Sequence, residues 1–130
     1  MSKETEDLSL DLQYQPELAA VPRLIRLVLL CGVDDRADEI VFISIDANAE
    51  EGMRIIFVID GAEKPLVPMH GSIFSGVVVV LCNHASVSYF AKGRVRGEVT
   101  TTRPASAWLL ESDDLQKRIR LVRQKLNNAA

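Results

Sequence analysis

Three features of the sequence predict an α+β fold, with an antiparallel sheet of three to five strands flanked by an N-terminal helix, a middle helix and a C-terminal amphipathic helix. Apolar residues recur at spacings of three and four between Leu18 and Leu29, two β-branched runs flank a polar loop near the middle, and the last stretch again has helical spacing. A chain of 130 residues, 48% hydrophobic and 25% charged, has the composition of one globular domain. That domain is expected over residues 15–130, after a flexible tail over 1–14 in which Leu8, Leu10 and Leu12 alternate like a short edge strand.

The first helix follows from Leu18, Val21, Leu24, Ile25, Val28 and Leu29, which share one face, with Arg23 and Arg26 pointing away from it. Pro22 lacks a backbone donor, so either it sits in the first turn of a helix beginning near Ala20, the favoured expectation, or it kinks a longer one. Gly32 offers a stop before Asp34, Asp35 and Arg36. Glu39 to Ile45 and Met53 to Ile59 are rich in Ile, Val and Phe around the loop DANAEEG, which predicts an antiparallel hairpin. Asp60 and Gly61 supply turn chemistry at its end, and Pro65 and Pro68 mark an irregular connection.

Gly71 to His84 is ambiguous: its four consecutive valines favour a strand, whereas Ile73, Val77, Val80, Leu81 and His84 fit a helical face. Lys92 to Thr102 alternates like a strand, and Ala107 to Leu110 suits another short one. Ser112 precedes two aspartates, and Leu115, Ile119, Val122 and Leu126 then repeat at helical spacing, which predicts an N-capped helix over 113–127. Lys117, Arg118, Arg120, Arg123 and Lys125 would form its solvated face.

The formal charge of -3 gives no bulk attraction to nucleic acid or anionic lipid, and the basic C-terminal stretch has no aromatic residue to stack on bases. No signal peptide and no apolar run of the roughly 18 residues that span a bilayer occurs, so a cytoplasmic protein without direct membrane insertion is expected. Cys31 and Cys82 are too few for a disulfide framework or a thiolate metal site, and both are expected as reduced core residues. Cys82 and His84 lack further ligands, so no metal and no cofactor is expected. The acidic pairs Asp34–Asp35 and Glu50–Glu51 fall in loops, where carboxylates are solvated. With no phosphate-binding loop, dinucleotide fingerprint, HExxH or GxSxG, the chain is not expected to be an enzyme.

The run VPRLIRLVLLCGVDDRADEI (Val21 to Ile40), followed by RIIFVIDG (Arg54 to Gly61), resembles the N2 domain of the bacterial secretion-motor ATPases, which drive type II secretion and type IV pili. That family has a helix of the form PxxRLVNxIL, an ASDIHIEP-like strand, a strand of the form RVRYRIDG, a helix, and a QDGRI-like strand. Pro22, Leu24, Ile25, Ala37, Ile40, Arg54, Ile59, Asp60, Gly61, Gly93 and Arg94 match it, within a span of about 20 to 110. The resemblance implies that Gly71 to His84 is a helix packed on the sheet.

The departures from the family carry the functional expectation. The sequence contains no motor with a phosphate-binding loop, so ATP hydrolysis by this chain alone is not expected. Arg54 remains of the family's strand arginines, but Ile56 and Val58 occupy the next alternating positions, and Val41 and Ile43 replace a His and a Glu of the preceding strand. Each such side chain stabilises by about 1.5–3 kcal/mol only when buried. The face bearing Val41, Ile43, Ile56 and Val58 should therefore be covered, first by the domain's own C-terminal helix, otherwise by a second copy or a partner. The expected function is a non-catalytic protein-interaction module that self-associates, as in a homodimer, or docks on a secretion or pilus ATPase. Trp108 is a candidate interface anchor, although a lone tryptophan after Pro104 is more often a partly buried core residue. A second functional class is a small-ligand or nucleotide sensor in which Arg54, Arg94 and Arg96 converge on an anion.

Overall fold

The computed structural model describes residues 16–102 and 105–125. Its elements run α1 (Pro16–Asp34), β1 (Glu39–Ser44), β2 (Met53–Ile59), β3 (Ala62–Pro65), α2 (Ile73–His84), β4 (Val95–Thr102), β5 (Ala105–Ser112) and β6 (Arg118–Gln124). The class is α+β: six antiparallel strands in the order β3-β2-β1-β6-β5-β4, with two helices. The expected tail over 1–14 lies outside the described residues.

α1 begins at Pro16, earlier than expected, and carries Pro22 inside it. Burial outweighs the donor lost at Pro22, since Ile25 and Leu29 are fully buried and Val28 is nearly so, whereas Leu27 and Leu30 face outward. Cys31 lies on that outward stripe and is exposed, a correction to its expected core position, while Cys82 is buried. α2 is a helix although it contains Val77 to Val80: Phe74, Val77, Val78, Leu81 and Cys82 are buried along one side of it, and that burial exceeds the modest strand preference of valine. At Gly97 of β4 a Cβ would lie within 2.9 Å of Ala85 and Val87, so the missing side chain lets the chain leaving α2 settle on the sheet.

β1 and β2 form the expected hairpin, with Val41 opposite Ile56 and Ile43 opposite Arg54. Asp60 and Gly61 both have positive φ, 52° and 84°, in the two-residue turn that joins β2 to the short edge strand β3. The Asp60 N–H donates to the Asp38 carboxylate at 3.0 Å, which pins that turn to the start of β1.

The helix expected over 113–127 is overturned: Asp114 to Lys117 form a turn, and Arg118–Gln124 is a strand that pairs with β1 on one side and β5 on the other. Helical spacing of Leu115, Ile119 and Val122 competes there with a period of two, in which Ile119 and Leu121 are fully buried and Arg118 and Arg120 face the other way. Two ladders of backbone hydrogen bonds favour the strand. Leu126 lies outside the described residues. Ser112 is no helix cap but the last residue of β5, and its hydroxyl donates to the Arg118 carbonyl and accepts the Asp114 N–H.

Both helices contribute to the single core on one face of the sheet, with Ile40, Phe42, Ile55, Phe57, Val99, Trp108, Leu110, Ile119 and Leu121. Trp108 is fully buried there, which removes it as a surface anchor. Its indole N–H donates to Ser106 Oγ at 2.9 Å, Ser106 in turn bonds Thr101 Oγ1 at 2.7 Å, and the Arg123 guanidinium lies 5.2 Å from the ring centroid.

The strand assignment of the C-terminal stretch separates two neighbouring residues. Leu121→Ala is expected to lower unfolding stability by about 2–5 kcal/mol, and Val122→Ala, on the opposite face, by under about 1.5 kcal/mol. Urea denaturation of both variants measures this; similar losses, or a larger one at Val122, would favour a helix.

Candidate functional site

The helices leave the second face of the sheet uncovered among the described residues, and strand register arranges that face in rows. One row reads Glu63, Val58, Glu39, Val122, Leu109 and Glu98 across the six strands. The next reads Pro65, Ile56, Val41, Arg120, Glu111 and Arg96. A third carries Arg54, Ile43 and Arg118. Val41 is only 5% exposed, shielded by its neighbours, while Ile43, Ile56, Val58, Leu109 and Val122 are half-buried. The expectation that the chain's own C-terminal helix covers Val41, Ile43, Ile56 and Val58 is therefore corrected: that stretch is β6, inside the sheet.

Charge on this face is segregated along the strands. The end with Arg54, Arg118, Arg120 and Arg96 is basic, and the row of Glu39, Glu63 and Glu98 is acidic. Arg120 sits at the junction, 2.6 Å from Glu111 and 3.7 Å from Glu39, and Arg96 is 3.4 Å from the other Glu111 oxygen. Arg94 pairs with Asp113 at 3.4 Å, but both are about four-fifths exposed, so that pair adds little to stability.

At the basic end the strands border an open groove of about 680 Å³. Five cations line it, Arg94, Arg96, Lys117, Arg118 and Arg120, against the three acids Glu111, Asp113 and Asp114. Lys117 and Arg118 have no ion-pair partner among the described residues. Ser112, the hydroxyl in the groove, is engaged by the β5–β6 turn. Of the three arginines expected to converge on an anion, Arg94 and Arg96 share the groove, whereas Arg54 stands on β2 with Ile43 between it and Arg118. Arg118, Arg120 and Lys117 were hidden as site residues by the helical reading, although the alternation in RIRLV marks them.

Among the described residues no group of three or more His, Cys, Asp or Glu side chains is placed to hold a metal ion, and no helix is long and apolar enough to cross a membrane. Cys82 and His84, two residues apart on α2, point away from each other. Burial pushes the Cys82 thiol up from its ordinary value, which keeps it protonated and inert. His70 is exposed, and its Nδ1 lies 2.8 Å from Ser72 Oγ. No protein-family model matches the chain, and no curated protein matches it.

The cysteine environments give a direct check on the packing. Maleimide is expected to modify Cys31 rapidly in the native protein and Cys82 only after unfolding. Peptide mapping by mass spectrometry reads both, and rapid native labelling of Cys82 would contradict the position of α2.

Proposed function

We propose that this chain is a non-catalytic protein-interaction module that works through the uncovered face of its sheet, as a relative of the motor N2 domain. One observation carries the reading: Ile43, Ile56, Val58, Leu109 and Val122 lie side by side on a face that neither helix covers. Antiparallel sheets commonly leave one face wet, but such faces then alternate to polar residues, whereas on this one Val41, Ile43, Ile56 and Val58 adjoin on β1 and β2. A secretion or pilus ATPase, or a second copy of the chain, is the partner class proposed.

Capture from host lysate tests this. The double variant Ile43→Lys, Ile56→Lys is expected to fold, since both residues lie outside the core, and to lose the proteins that the wild type retains. A control variant, Leu27→Lys, changes an exposed residue on α1 and should retain them. Unchanged capture by the double variant would sink the proposal; recovery of a secretion or pilus motor by the wild type would supply the specific partner.

A second reading rests on the groove, where five cations face three acids. It takes an anionic ligand such as a nucleotide, bound by Arg96, Arg118 and Lys117 through charge-assisted hydrogen bonds. Ligand at about 100 times its dissociation constant adds about 2.7 kcal/mol of stability, a rise in melting temperature of several degrees. ATP, ADP and a cyclic dinucleotide are the probes, with Arg96→Ala, Arg118→Ala expected to abolish the shift. No shift with any of them at millimolar concentration would discard this reading.

A further inference from the structure

The uncovered face is electrically self-complementary. Its basic end holds Arg54 and Arg118 in one row, with Arg96 in the next row on β4, and the row of Glu39, Glu63 and Glu98 crosses the sheet further along the strands. The apolar residues Ile56, Val58 and Val122 lie between or within those rows. A partner with uniform charge would be repelled by one half of this surface. A partner with the same two halves, turned end for end, meets opposite charge at both.

We infer that the face pairs with the same face of a second copy, about a two-fold axis that runs across the strands. Such an axis carries the Arg54–Arg118 row of each copy over the row of Glu39, Glu63 and Glu98 of the other, and it stacks the row between on itself, with Ile56 and Val41 at one side and the ion-paired Arg120 and Glu111 at the other. The other in-plane two-fold, along the strands, stacks the Arg54–Arg118 row on itself and sets Glu63 over Glu98, so the same charges disfavour it. Faces packed this way have strands within about 30° of parallel or antiparallel, the usual geometry of stacked sheets. The contact is isologous, so it closes at two copies. Six strands at about 4.8 Å spacing give a face only about 24 Å wide, at the small end of specific interfaces, so micromolar association is expected. This inference rests on the interaction-module reading and names its partner.

Sedimentation equilibrium of the full chain, at protein concentrations up to about 100 µM, is the test. The wild type is expected to be a dimer whose dissociation constant rises about tenfold or more between about 50 mM and 500 mM salt, because the charges that align it are screened. Glu63→Arg, Glu98→Arg makes the acidic row basic, and Arg54→Glu, Arg118→Glu makes the basic row acidic. All four positions are exposed, so both variants should fold. Each alone is expected to be monomeric, and an equimolar mixture of the two to form a heterodimer.

A monomeric wild type overturns the pairing, as does a dimer that neither variant disrupts, which would use another surface. The capture experiment separates the two levels of the account. If the wild type is monomeric but Ile43→Lys, Ile56→Lys still abolishes capture, the face binds a different protein and only the self-pairing falls. If capture is also unaffected, both fall.

Discussion

The pairing of β6 with β1 is the constraint on which this structure depends. Strand order β3-β2-β1-β6-β5-β4 places that ladder at the centre of the sheet, joining the N-terminal hairpin and its edge strand to the C-terminal one. Ile40 faces Leu121 across it and Phe42 faces Ile119, all four fully buried beneath the helices. With those residues on the core side, the strand period of two sends Val41, Arg120 and Val122 to the other side. The dry face and the open face are thus fixed together. A helix in place of β6 would split the sheet, leave Phe42 and Ile40 without their cross-strand neighbours, and cover the residues that the open face presents.

Much of this architecture was legible in the sequence because local signals and burial agree. The β1–β2 hairpin follows from two β-branched runs around a polar loop, and the Asp60–Gly61 turn from residues that tolerate positive φ. α1 was legible as a helix but not in its start, since Pro22 carries a strong breaker signal that the burial of Ile25 and Leu29 overrides. α2 was ambiguous in the sequence, because four valines in a row speak locally for a strand while Ile73, Val77, Val80, Leu81 and His84 fit a helical face.

The C-terminal stretch misled for an identifiable reason. Leu115, Ile119 and Val122 fit a helical repeat in a window too short for spacing alone to decide, and the nearby aspartates imitate a capped start. The decisive contacts are long-range, with β1 some eighty residues earlier in the chain. That misreading also concealed the site. Arg118 and Arg120 look like a solvated helix face when placed on a helix, but on β6 they complete a charged surface with Arg96 and Glu111. Trp108 was ambiguous because a lone tryptophan suits either a core or an interface, and its partners Ser106, Thr101 and Arg123 emerge only once β4, β5 and β6 are aligned.

The proposed function is a consequence of that alignment, because it rests on side chains held on rigid strands, with Ile43, Ile56 and Val58 beside charges segregated along the strands. Its central claim is that residues 118–124 are a strand between β1 and β5. Backbone NMR assignment of the intact protein tests it most directly. The account predicts strand-type carbon shifts over Arg118–Gln124 and cross-strand proton contacts from Phe42 to Ile119 and from Leu110 to Leu121. Helical shifts over that stretch, with contacts between residues three and four apart and none to β1, would contradict it and remove the open face with it.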